Sequence, residues 1–352
     1  YNFGYDVIDY YGKKTPNKTA LLWISHDLKE KKFSFADIMH MSNQVANYFL
    51  SLGIKKCDRV LVVLRRHYNF WMAMIALHKI GAVAVPATIQ LKKKDLVYII
   101  KEADINAIIC VSTEECIEEA ELAISDLKKD IIKISSDGSR IGWHDIEDAY
   151  RDCSTKLTID PNRIPKSNEP MLMFFTSGTT AYPKIAEHAH TYSLAHFVTA
   201  KWWHDIKEND IHLTVAETGW GKAAWGKLYG QWIIGACVFA FDFKKFDYVE
   251  LLKLIEKYKV TTFCAPPTIY RFLIKADLSQ FDLSSLRYLT TAGEALNPEV
   301  VTRIKEALGL EIKEGFGQTE TTLTVANLIN MPVKVSSMGK PTPNYSISLL
   351  DS

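Results

Sequence analysis

Short apolar runs recur along the chain, and between them apolar residues fall three and four positions apart. Runs such as Val60-Leu61-Val62-Val63-Leu64 and Ala107-Ile108-Ile109-Cys110-Val111 do not alternate with polar residues. They therefore predict strands buried on both faces. In the first half strands are expected over 19–25, 60–64, 82–86, 107–111 and 131–134, and helices over 3–13, 68–80 and 96–103. Ser34-Phe35-Ala36-Asp37 has the form of a capping box. It opens a helix ending near Gly53, with Ile38, Met41, Val45, Tyr48, Phe49 and Leu52 at helical spacing. The second half predicts strands over 171–175, 211–215, 236–241, 261–265 and 288–291, and another beginning at 311–314. Helices are expected there over 192–203, 224–235, 248–258, 268–275 and 298–308. Strands alternating with helices predict an α/β fold whose sheets are mostly parallel. Residues 130–170 are looser, more polar and richer in Ser, Asp, Asn and Pro, which puts a boundary within 160–170. The expected units are 1–165, 166–330 and the start of a small β subdomain at 331–352.

Ligands of open α/β sheets bind outside the carboxyl ends of the strands. Four unusual loops fall there: 176–184, 217–225, 292–296 and 315–320. The first offers hydroxyls from Thr176, Ser177, Thr179 and Thr180, a flexible Gly178, and the ammonium of Lys184. Hydroxyls, free backbone N–H groups and a cation suit a polyphosphate, although a polar surface loop has the same composition. A Walker A loop is excluded, because Pro183 stands where that pattern needs Gly-Lys-Ser/Thr. The last loop, Gly315-Phe316-Gly317-Gln318-Thr319-Glu320, combines close backbone approach with a hydroxyl and a carboxylate. Mg²⁺ favours a carboxylate beside phosphate oxygens, and a solvated turn is the alternative.

Composition narrows the field. The formal net charge is +1, so no electrostatic case exists for nucleic acid. No apolar run reaches the length of a membrane span, and the N-terminus does not read as a signal peptide. The six cysteines are scattered without a C-x-x-C spacing. That disfavours a zinc site or disulfide framework and suggests reduced thiols in the cytoplasm.

Residues 176–184 resemble the phosphate-binding signature of the AMP-forming acyl-CoA synthetases and their adenylating relatives, departing from it at Ala181, where the family has Gly. Residues 315–320 resemble the family's Tyr-Gly-x-Thr-Glu motif, with Phe316 for Tyr. Gly293-Glu294-Ala295 is similar to its adenine-side turn, and Gly339-Lys340-Pro341 to its Gly-x-Pro segment. Glu217-Thr218-Gly219-Trp220 is similar to the Asp-Thr-Gly-Trp segment of acetyl- and medium-chain acyl-CoA synthetases.

The resemblance implies two doubly wound sheets in a layered αβαβα arrangement. It also implies a two-step ligation. A carboxylic acid and ATP give acyl-adenylate and pyrophosphate, and CoA then gives acyl-CoA and AMP. Thr176, Ser177, Gly178, Thr179, Thr180 and Lys184 would hold the β- and γ-phosphates. Thr319 would contact the α-phosphate and Glu320 would hold Mg²⁺. Gly293, Glu294 and Ala295, with Glu314, Gly315, Phe316, Gly317 and Gln318, would frame the nucleotide. Trp220, Gly221, Trp225 and Gly317 would meet the acyl group. Acetate-specific relatives carry Trp at the position of Gly317, so its absence suggests a deeper pocket, for propionate or larger acids. His188 and His190 are expected to pack or face solvent and not to react.

The partners so implied are a small carboxylic acid, ATP and CoA, with a homodimer among the possible assemblies. Family members carry a ribose-binding Asp, a hinge and an adenylation Lys beyond the point matching Ser352. None of these is assignable here, and low activity is expected of residues 1–352 alone. Two rival readings stay open: another adenylating ligase, for aryl or amino acids, and a non-catalytic nucleotide-binding module.

Overall fold

The computed structural model describes residues 1–176 and 183–350. Its strands in chain order are β1 (Thr19–Ser25), β2 (Glu30–Ser34), β3 (Arg59–Val63), β4 (Val83–Pro86), β5 (Ala107–Val111), β6 (Ile132–Ser136), β7 (His144–Asp145), β8 (Pro170–Thr176) and β9 (Lys184–Ala189). There follow β10 (Ile211–Thr214), β11 (Cys237–Asp242), β12 (Thr262–Cys264), β13 (Tyr288–Ala292), β14 (Ile312–Gly317), β15 (Leu323–Ala326) and β16 (Lys340–Pro341). The chain divides into two compact units. One holds Tyr1–Thr19, Lys32–Tyr192 and Glu217–Gly221, and the other holds Ala20–Lys31, Ser193–Ala216 and Lys222–Ser352.

The first unit is built on the sheet β7-β6-β5-β3-β4-β8-β9. Its strands run parallel except for β9, which returns antiparallel to β8. The apolar runs behave as expected: Leu61, Val63, Val85, Ile108 and Cys110 are buried against Leu96, Ile100, Ile117 and Ala120 of the flanking helices. The capping box forms, with Ser34 Oγ accepting from Asp37 N and Ser34 N donating to the Asp37 carboxylate. The helix Asn69–Ile80 is buried on every side and ends at Gly81 in the left-handed region. It carries a fully buried Lys79, whose Nζ donates to Asp9 Oδ1 and Asn43 Oδ1 at 2.6 Å and to Ser42 Oγ at 3.1 Å. A buried ammonium is tolerable only with such partners.

The second unit is built on the sheet β16-β15-β14-β13-β12-β10-β11-β1-β2. Strands β14 to β1 run parallel, and β15 and β16 add an antiparallel edge. One face buries Leu213, Phe239 and Phe263 against Leu251, Ile255, Val300 and Ile304.

The expected boundary at 165/166 is displaced. β8 pairs in parallel with β4 through Ala84 and Leu172, and β9 follows it, so the first unit extends to Tyr192. Residues 331–350, expected to begin a small β subdomain, contribute β16 to the edge of the second sheet. The helix expected over 192–203 forms, but its second half, Thr199–Trp203, is wound as a π-helix.

Candidate functional site

In the second unit, β13 and β14 run side by side, and the chain turns sharply past the end of each. Their ends enclose a cavity of about 490 Å³. It is lined by Gly293, Glu294, Ala295 and Leu296 after β13, by Glu314, Gly315, Phe316 and Gly317 at the end of β14, and by Ser336 and Met338. Every nucleotide-framing residue expected from the sequence, except Gln318, is therefore in one wall. Gln318 comes next and its N–H donates to Thr321 Oγ1 at 2.9 Å. Thr319 is half-buried; Glu320, on the same turn, is exposed, and its carboxylate makes no hydrogen bond or ion pair among the described residues.

The cavity wall has a definite electrostatic character. Glu314 is 7% exposed, and burial pushes its carboxyl above the ordinary range, opposed by a backbone hydrogen bond at Leu296. Glu294 is held outward: Thr268 Oγ1 donates to its Oε2 at 2.8 Å, and Arg271 Nη2 does so at 3.3 Å. Lys222, on the helix Gly221–Lys227, is a residue the sequence reading missed. Its Nζ donates to Ala292 O at 2.7 Å, at the last residue of β13 before the cavity turn. Burial lowers its pKa, with Cys264 and Glu294 acting the other way, and it makes no ion pair among the described residues. Its sequence signal was a lone cation two residues after Trp220, within an apolar stretch.

Glycine at the end of β14 answers a packing demand. A Cβ on Gly317 would stand 2.2 Å from Trp225 Cη2 and 2.3 Å from Thr322 O. One on Gly315 would come within 2.7 Å of the Trp203 ring. Trp203 is fixed by its Nε1, which donates to Glu314 O at 3.2 Å. The side chain missing at Gly317 leaves room for the indole of Trp225, so two of the residues expected to meet the acyl group lie against each other. Trp225 is 6% exposed and its Nε1 has no hydrogen-bond partner among the described residues. Trp220 and Gly221, expected beside it, belong to the first unit, and Trp220 is exposed.

The expected phosphate loop lies in the first unit between β8 and β9. Thr176 and Lys184 are cross-strand partners, and Tyr98 Oη donates to Pro183 O at 2.8 Å. Ser177, Gly178, Thr179, Thr180 and the departing Ala181 lie outside the described residues. His188 stacks on Tyr192 with ring centroids 3.9 Å apart, and His190 is buried with a pKa lowered to about 4 by desolvation, so both pack as expected.

The model of the AMP-binding enzyme family matches residues 8–352. Among curated proteins the chain is 34% identical over 361 residues to the human mitochondrial acyl-coenzyme A synthetase ACSM3, covering all of this chain and 60% of that protein. It is 34% identical over 363 residues to human mitochondrial ACSM5, covering 61% of it. The chain thus spans about three-fifths of the length of the relatives it matches. Among solved structures it resembles the anthranilate CoA ligase AuaEII in complex with anthranoyl-AMP, with a TM-score of 0.90 and 26% identity over all of this chain and 66% of that one. It likewise resembles a Brucella canis acyl-CoA synthetase, with a TM-score of 0.89 and 25% identity, covering 64% of that chain. The mitochondrial relatives overturn the expected cytoplasmic location. Scattered reduced thiols do not separate one reducing compartment from another.

Proposed function

The chain belongs to the AMP-binding enzyme family, and from that premise we propose that its protein activates a carboxylic acid with MgATP and passes the acyl group to CoA. In the first step a carboxylate oxygen bonds to the α-phosphorus and the bond to the β-phosphate breaks, releasing pyrophosphate. In the second the CoA sulfur bonds to the acyl carbon, AMP leaves, and the thiol proton goes to solvent. The carboxylate is already nucleophilic, so the first step requires no base. Positioning and charge neutralisation carry the catalysis.

The observation that carries this reading is the cavity between the ends of β13 and β14. Its size, its backbone-rich wall and its buried carboxylate suit an adenine nucleotide. Glu314 would accept from the adenine amino group, Thr319 would meet the α-phosphate, and Lys222 would face the anionic reactants. Mg²⁺ would arrive with ATP and take Glu320 as its protein ligand. An exposed carboxylate without a protein partner fits that role, and no cluster of three ligating side chains occurs among the described residues. Thr176, Lys184 and the hydroxyls between them would take the β- and γ-phosphates. Acids longer than acetate remain the proposed substrates, with the indole of Trp225 setting the limit. A homodimer is a further option. The mitochondrial relatives point to the mitochondrion as the location.

Incubating the full-length protein with ATP and a carboxylic acid, without CoA, tests the first step. Mass spectrometry should find the acyl-adenylate and pyrophosphate, and adding CoA should convert the adenylate to thioester and AMP. ATP cleaved to ADP and phosphate would refute the reading.

The buried carboxyl also predicts a pH dependence. Because the pKa of Glu314 is raised, its carboxylate forms only as pH climbs through that value. The fold favours the protonated form there, and this contribution to stability is lost as pH rises. The carboxylate is the better acceptor for the amino group. Calorimetry between about pH 5 and pH 8 should show AMP binding tightening as pH rises, and Glu314→Gln should flatten the curve. An unchanged slope in the variant would remove Glu314 from the nucleotide site.

A further inference from the structure

Two arginines follow β3 in tandem, and their guanidinium groups serve different carboxylates. Arg65 pairs with Glu114 and, at 3.0 Å, with Asp137, which follow β5 and β6. Those contacts fix the loop after β3 at the point where the strand order reverses, between β3 and β5. Arg66, only 4% exposed, pairs instead with Glu217. Beside that pair the Thr218 hydroxyl donates to Leu64 O. Gly219 presses against the residues after β4: a Cβ there would lie 2.2 Å from the Ala87 carbonyl carbon and 2.4 Å from Thr88 N. These are backbone atoms and cannot step aside, so only glycine fits. Three consecutive residues are thus bound to the ends of two strands, all inside the first unit.

The first sheet does not need this anchoring. All of its strands are complete by Ala189, and Glu217–Gly221 is a detached stretch laid on them later in the chain. Nor does Glu217 need Arg66, since its side chain is 39% exposed and open to water. Arg66 is the member of the pair that burial constrains, and a buried guanidinium without a carboxylate is disfavoured. Beyond the anchored residues Trp220 closes a turn, its N–H donating to Glu217 O at 3.2 Å, and the helix bearing Lys222 and Trp225 starts at Gly221.

Resting on the proposed ligation, we infer that Arg66 is a positioning residue for the carboxylic acid: through Glu217 it fixes Glu217–Gly221, the segment that ends in Trp220 and Gly221. It touches no reactant. The guanidinium fork matters, because two N–H groups in one plane hold a carboxylate in a set orientation that an ammonium does not impose.

The test uses the full-length protein with Arg66→Met, Arg66→Lys, Glu217→Gln and the double variant Arg66→Met/Glu217→Gln. In acid-dependent pyrophosphate exchange, Arg66→Met should raise KM for the acid by about tenfold while KM for ATP stays within about twofold. Arg66→Lys should recover part of that loss. The double variant should be no worse than Arg66→Met, since both remove one interaction. Hydrogen exchange reads the anchoring without reference to activity: residues 217–221 should exchange faster in Arg66→Met and Glu217→Gln, while β3 and β5 keep their protection. Equal rises in both KM values, or unchanged protection of 217–221, would overturn the inference. Should Arg66→Met not fold, Glu217→Gln decides the matter, because its side chain is partly exposed. If the wild-type protein shows no exchange with any acid, the functional reading falls, and hydrogen exchange still reports whether Arg66 holds the segment.

Discussion

Lys222→Met is expected to lower acid-dependent pyrophosphate exchange by about 100-fold or more. Lys222 is partly buried, burial lowers its pKa, and its one hydrogen bond among the described residues goes to the neutral Ala292 carbonyl. A desolvated ammonium without a carboxylate is costly unless a ligand completes it. The first step of the proposed reaction brings an acid carboxylate and an α-phosphate together, and both are anionic. Methionine keeps the length and bulk of the stem, so the melting temperature should move little. The lowered pKa sets the sign of a pH effect: exchange should fall on the alkaline side sooner than an ordinary lysine would allow, and Lys222→Arg should remove that limb. Full exchange activity in Lys222→Met would reduce the residue to a prop for Ala292.

Gly317→Ala is expected to cost both stability and adenylation. A Cβ at Gly317 would meet the Trp225 ring on one side and the Thr322 carbonyl on the other. The ring can tilt, but the carbonyl belongs to the backbone entering β15. Overpacking of this kind costs about 1–3 kcal/mol. In a chain of this size that is a drop of roughly 1–4 °C in Tm. AMP affinity should fall more than tenfold, because the end of β14 forms one wall of the cavity. Trp225→Leu in that background should restore only part of the loss, since Thr322 O remains. Alone, Trp225→Leu should widen the range of acids toward longer chains, at about 1–3 kcal/mol per methylene. A wild-type melting temperature and AMP affinity in Gly317→Ala would contradict the packing described for Trp225.

The parallel strands were legible because burial on both faces leaves uninterrupted apolar runs, as in β3 and β5. The helix Phe35–Ser51 announced its start through Ser34 and Asp37. The cavity wall was legible because close backbone approach demands glycine, and glycines flanking hydroxyl and carboxylate residues mark such places. What the sequence hid was non-local. Membership of β8 in the first sheet depends on one pairing with β4, between Ala84 and Leu172. A polar stretch before it suggested a boundary that the pairing overrides. The fit of Trp225 to Gly317 joins residues far apart in the chain, and glycine reads equally as an empty floor or as a seat for a ring. Lys222 carried no motif, and the missing carboxylate beside it becomes visible only after folding. The pairing of Arg66 with Glu217 likewise joins residues far apart in the chain that no periodicity connects.

The cavity between β13 and β14 is proposed as the place where a carboxylic acid is joined to AMP. Radiolabelled pyrophosphate supplied with ATP to the full-length protein, across a panel of straight, branched and aromatic acids, tests it most directly. Label should enter ATP only when a suitable acid is present, and Lys222→Met should slow that entry by about 100-fold or more while leaving the protein folded. Label entering ATP without any acid, or no entry with any acid on the panel, would contradict the account.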